Sequence, residues 1–125
     1  MDRVVLIAAW IGIFGGLLAG ALQGLRFADP EWLGGYGSWR RRMLRLAHIS
    51  LIALPLINLA SLFTVSYLKL SGWPVGTAFV LLLVAQATMP LVCLLSALDR
   101  RFRHLFCIPV ATLLSGAAGL VYIAL

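Results

Sequence analysis

VVLIAAWIGIFGGLLAGALQGL, residues 4–25, decides how the rest of the chain is read. It holds no Lys, Arg, Asp or Glu, and a helix of about 20 such residues, rising 1.5 Å each, crosses the roughly 30 Å of a bilayer's hydrocarbon. Three more runs of this kind follow, at residues 46–68, 75–98 and 105–125. Over the whole chain of 125 residues, 62% are hydrophobic, 11% are charged and mean hydropathy is +1.03, too little polar surface to coat a water-soluble globule. A helix satisfies its own backbone groups in lipid, whereas a barrel would show segments of about ten residues with alternating polarity. The pattern therefore predicts an all-α integral membrane protein, a single-domain four-transmembrane-helix bundle over residues 1–125.

Ala19-Gly20-Ala21 offers the small-x-small pattern of a signal-peptidase site, but Met1-Asp2-Arg3 lacks a basic leader. Cleavage would also leave the arginines at 40–45 on the outer side. The first run is read as retained, giving an even number of spans.

The basic residues fix the expected orientation. Arg26, Arg40, Arg41, Arg42 and Arg45 flank or fill the first connection, and Arg100, Arg101 and Arg103 the third, against only Arg3 and Lys69 on the other side. Cytoplasmic loops carry the excess of Lys and Arg, so both termini should face outward, with the chain in a bacterial inner membrane. The net charge of +6 is accounted for by this bias, and nucleic acid is not an expected partner. The longest polar stretch, residues 27–39, is broken by Asp29-Pro30 and three glycines, and its Trp32, Tyr36 and Trp39 suit an interfacial layer. Tyr67 and Trp73 bracket a tight turn at the opposite side. The two halves repeat a hairpin with an Arg-rich bend, but Arg42-Met43-Leu44-Arg45 matches Arg100-Arg101-Phe102-Arg103 only in charge.

Within the spans, Gly12, Gly16, Gly20 and Gly24 recur every four residues and Ala8 continues the row. Residues at that spacing share a helix face, and a smooth glycine face lets another backbone approach closely. The expected occupant is another membrane subunit, a second copy of the chain, or the small residues of span four, Ser115, Gly116 and Gly119. Aligned by depth, Asn58, Gln86 and Ser115 fall near the bilayer centre with Gly15 and Gly16. The two amides are expected to bond each other, because an unpaired amide in hydrocarbon costs several kcal/mol; together with Ser115 they are the candidate polar site of a small channel or transporter. No carboxylate or lysine lies at that depth to bind a charge or couple a proton.

His48 and His104 sit near the basic side of spans two and four, where two imidazoles on separate helices are what a bis-His b-type haem needs, with Arg45 and Arg103, beside Arg41 and Arg101, as candidates for its propionates. Adding Cys93 and Cys107 makes a soft-metal set without any close ligand pair, so no metal site is expected. Hydrolytic chemistry is excluded on firmer ground. Asp99 is the only carboxylate near either histidine, Ser38 has no neighbouring base, and no G-x-S-x-G or phosphate-cradling loop occurs. Pro55, Pro90 and Pro109 fall inside spans and each removes a backbone hydrogen bond. With so little soluble mass, the leading expectation is a non-catalytic accessory or assembly subunit of a larger membrane complex; a haem b electron-transfer subunit and a small channel or transporter are the alternatives.

Overall fold

The computed structural model describes residues 1–125, and all of its regular structure is helical. α1 spans Asp2–Gly24, α2 Trp39–Tyr67, α3 Trp73–Leu98 and α4 Cys107–Ala124, with short 3-10 segments at Trp32–Gly34 and Arg100–Phe106. All four long helices, the last taken with its 3-10 lead-in, are long and apolar enough to cross a membrane. There is no strand.

Helix ends depart from the apolar runs where local chemistry overrides hydropathy. α2 begins at Trp39 rather than at residue 46, because the Ser38 hydroxyl caps it by accepting from the Arg41 N–H (3.2 Å) and the arginines that follow are good helix formers. An apolar run measures hydrocarbon, not helix. α4 has its own departure: Pro109, expected inside the span, sits in the first turn of the helix. No intrahelical acceptor is needed there, so the ring marks the change from 3-10 to α geometry instead of kinking a finished helix.

α2 closes in a Schellman turn, with the Leu70 N–H bonded to the Val65 carbonyl (2.9 Å) and that of Lys69 to Ser66 (3.3 Å). This places Lys69 at φ 52°, a left-handed conformation that suits glycine. Lys69→Gly is accordingly expected to stabilise the protein by about 1 kcal/mol, after the offsetting chain entropy, and to raise the unfolding midpoint in detergent by about 3 °C. An unchanged or lower midpoint would show that the strain is absent.

α2 and α3 form the middle of the bundle, with α1 packed chiefly on α2 and α4 on α3. The glycine row of α1 is what lets it lie so close to α2. A Cβ added at Gly12 would meet the Pro55 ring at 2.5 Å, one at Gly16 would meet Ile52 at 2.5 Å, and one at Gly20 would meet the His48 ring at 2.5 Å. Residues 48, 52 and 55 of α2 thus descend the groove as 20, 16 and 12 of α1 ascend it. The occupant is a helix of the same chain, so these three glycines present no free face. Gly24, the fourth of the row, has open space around it. α3 and α4 approach differently, most closely at Gly116, which faces Leu82 and the Ala78 carbonyl.

The two basic connections lie at one end of the bundle. There the Trp39 indole N–H donates to the Ser96 carbonyl at 2.7 Å, satisfying one of the last carbonyls of α3. At the other end Met1 and Asp2 flank the same cleft as Lys69 and Ser71, above a small core of Val5, Val65, Val75 and Phe79. Between the ends the outside is apolar, as Trp10, Ile11, Phe14 and Leu17 of α1 illustrate, and such a surface fits a bilayer.

Candidate functional site

Two polar centres are built on this frame, one in the middle of the helices and one at the basic end. In the middle, the Asn58 amide on α2 donates to the Gln86 carbonyl oxygen on α3 at 2.8 Å, and the Gln86 amide donates to the Ala8 carbonyl on α1, also at 2.8 Å. The direction of this relay follows from its far end: a backbone carbonyl only accepts, so Gln86 must turn its NH₂ to Ala8 and its oxygen to Asn58. Asn58 also donates to its own helix at Leu54 (3.3 Å), and its Oδ1 is buried without a partner. Three helices are joined by one pair of side chains.

Ser115 is not part of this centre. It is exposed on α4, so the polar layer inferred from depth reduces to the two amides. The register is also about one turn off that alignment. Gly16 lies beside Leu51 and Ile52, while Gln86 lies beside Ala8 and Gly12. Matching runs by their midpoints ignores the seating of Pro55 against Gly12, which fixes how α1 and α2 slide.

His48 and His104 are held on different helix pairs. The His48 Nδ1 lies 2.9 Å from the Gly16 carbonyl of α1, which requires the tautomer protonated there. His104 is exposed in the 3-10 segment that packs on α3 and α4. Of the neighbouring arginines, Arg45 stacks on Tyr36 at 4.2 Å and donates to its carbonyl at 3.3 Å, whereas Arg103 is exposed. Cys93 is buried and Cys107 exposed, and no group of three or more His, Cys, Asp or Glu side chains gathers anywhere. A second tie between α1 and α2, from the Gln23 amide to the Leu44 carbonyl at 3.2 Å, joins His48 in fastening the glycine face.

The basic end holds what sequence patterning did not reveal. Arg41, only 3% exposed, has its guanidinium 5.3 to 5.5 Å from the rings of Phe27, Trp32 and Tyr36. Cation–π contacts of this kind contribute about 0.5–2 kcal/mol each, rising with desolvation, so the aromatic residues of the connection wrap one buried cation. Trp39 turns the other way, toward α3, where Arg100 lies over its ring at 5.5 Å. Beside Trp39 is a cleft of about 480 Å³ whose walls include Ser38, Arg40, Ser96, Asp99 and Arg100. The Ser96 hydroxyl is fully buried and unpartnered. Asp99 caps the following turn by accepting from the Arg101 N–H at 2.9 Å. The signal for this cleft was present in the sequence as an arginine just inside the start of one helix and another just past the end of the next, but only the fold shows that these two points meet.

No protein-family model, curated protein or solved structure matches this chain, and its functional reading therefore rests on its own residues and their geometry.

Proposed function

We propose that the chain is a multi-pass protein of a bacterial inner membrane, with its basic end toward the cytoplasm and both termini outward, acting as a non-catalytic accessory or assembly subunit of a larger membrane complex. The positive-inside bias supports the orientation. The interior polar groups support the non-catalytic part, since the Asn58–Gln86 relay and the His48 imidazole are taken up in fastening helices to one another.

The observation that carries the assembly part is a groove of about 320 Å³ between α2 and α4, where Ala60, Ser61 and Thr64 face Ala117 and Ala124, with Ile57, Leu120 and Val121 completing the walls. Helices associate in lipid through close packing at small residues, and this is a face where another backbone can come near. Gly12, Gly16 and Gly20, being filled by α2, are not available for that purpose.

In mild detergent, native mass spectrometry should find the chain with a second membrane polypeptide. Filling the groove by Ala60→Leu and Ala117→Leu, both at exposed positions, should strip that polypeptide away while the unfolding midpoint of the chain holds. A bare monomer, or a complex indifferent to both substitutions, counts against the proposal.

A further inference from the structure

The cleft at the basic end does not stop at its polar walls. It continues into an apolar groove of about 280 Å³ between the start of α2 and the end of α3, and Leu33, Arg40, Ala97 and Leu98 line both. Beyond them the groove is walled by Leu44 and Leu94, one turn or more into the helices. A charged, hydrogen-bonding compartment thus opens directly onto an apolar groove that reaches about one turn into α2 and α3. We infer that this compound cavity holds one anionic phosphoglyceride, its phosphodiester between Arg40 and Arg100 and one acyl chain in the groove beside Leu44 and Leu94.

The charge count selects the headgroup. The cleft carries two guanidiniums, Arg40 and Arg100, and one carboxylate, Asp99, which is engaged in capping the turn that follows it. The surplus is one positive charge, the complement of a single phosphodiester with an uncharged polar head. Hydrogen-bond donors are arranged to match. Trp39 and Arg40 open α2, so their backbone N–H groups have no acceptor within the helix, and an anion is favoured at that terminus. Ser38 is already accepting from Arg41 and keeps its own proton to donate. Arg100 is steadied over the Trp39 ring, and Trp39 is pinned by its bond to Ser96, so one wall of the cleft is preorganised. Guanidiniums bind phosphate oxygens with paired, charge-assisted hydrogen bonds. An inorganic phosphate would satisfy the cleft alone and leave the apolar groove unused.

This inference needs the chain to sit in a bilayer but not to have a protein partner, so it stands or falls separately from the assembly proposal. Delipidated protein in mild detergent is titrated with dioleoylphosphatidylglycerol and, separately, with dioleoylphosphatidylcholine, and bound lipid is counted by native mass spectrometry. One phosphatidylglycerol should be retained with an affinity about tenfold or more above that of phosphatidylcholine, and Arg40→Gln or Arg100→Gln should each weaken it about tenfold, the usual effect of losing a charge-assisted hydrogen bond. Arg103→Gln, outside the cleft, should leave it unchanged. Leu98→Asn, at an exposed position of the groove, should weaken binding without altering charge, and it keeps the test open should either arginine variant fail to fold. Equal retention of both lipids, full displacement by millimolar inorganic phosphate, or wild-type retention by Arg40→Gln and Leu98→Asn would overturn the inference.

Discussion

Gly16→Leu is expected to lower the unfolding midpoint in detergent by about 10 °C or more, whereas Gly15→Leu, its neighbour in sequence, should shift it by no more than about 2 °C. A Cβ at Gly16 meets Ile52 at 2.5 Å and the backbone carbon and oxygen of Leu51 at 3.2 Å, and backbone cannot rotate aside. Relief requires α1 to move off α2, which would also stretch the His48–Gly16 and Gln23–Leu44 bonds. Overpacking a tight contact costs about 1–3 kcal/mol on its own, and the broken ties add to that. Gly15 has open space, so its leucine adds the same apolar bulk on the outside. Circular dichroism melts of the two variants give the comparison directly. Equal shifts would mean that the close approach of α1 and α2 does not exist.

The second large effect is expected at the amide relay. Gln86→Leu deletes the bond from Asn58 and the bond to Ala8 together, leaving Asn58 with only its 3.3 Å bond to Leu54 in a fully buried position. Interhelical bonds in membranes average about 0.6 kcal/mol, but leaving a buried polar group unsatisfied costs about 1–3 kcal/mol, so the stranded amide sets the size of the effect. Asn58→Leu should cost a similar amount by orphaning the Gln86 oxygen. The double variant removes both the need and the partner, and should be less damaging than the sum of the singles by about 1 kcal/mol. A double-mutant cycle in SDS titration measures that coupling. Strict additivity would remove the relay from the account of what holds α1, α2 and α3 together.

The four spans were legible because hydrocarbon thickness imposes a length that a chain of 125 residues can meet only a few times. That Asn58 bonds Gln86 also follows from sequence, since they are the two amides deep in the apolar runs. The third member, the Ala8 carbonyl, was not legible, because every residue carries a carbonyl and only the packing of α1 selects one. The glycine row announced a close approach but not its occupant: Pro55, Ile52 and His48 carry no shared chemical label, and they match the groove by shape, with a single hydrogen bond from His48 to the Gly16 carbonyl. Ser115 was misplaced for a related reason. Depth can be counted along a span, but the side of the helix that faces inward depends on its neighbours, and α4 turns Gly116 to α3 and leaves Ser115 outside. The cleft between Arg40 and Arg100 joins residues sixty positions apart and needed the antiparallel return of α3 to bring them together.

The relay from Asn58 through Gln86 to Ala8 sets an order on biogenesis. Because the chain is made from its N-terminus, the opening hairpin can nest Pro55, Ile52 and His48 into their glycines at once, yet Asn58 has only the Leu54 carbonyl of its own helix to bond until α3 arrives carrying Gln86. α1 and α2 can therefore fasten to each other through His48 and Gln23 before α3 exists, and α3 brings the one tie that spans all three helices.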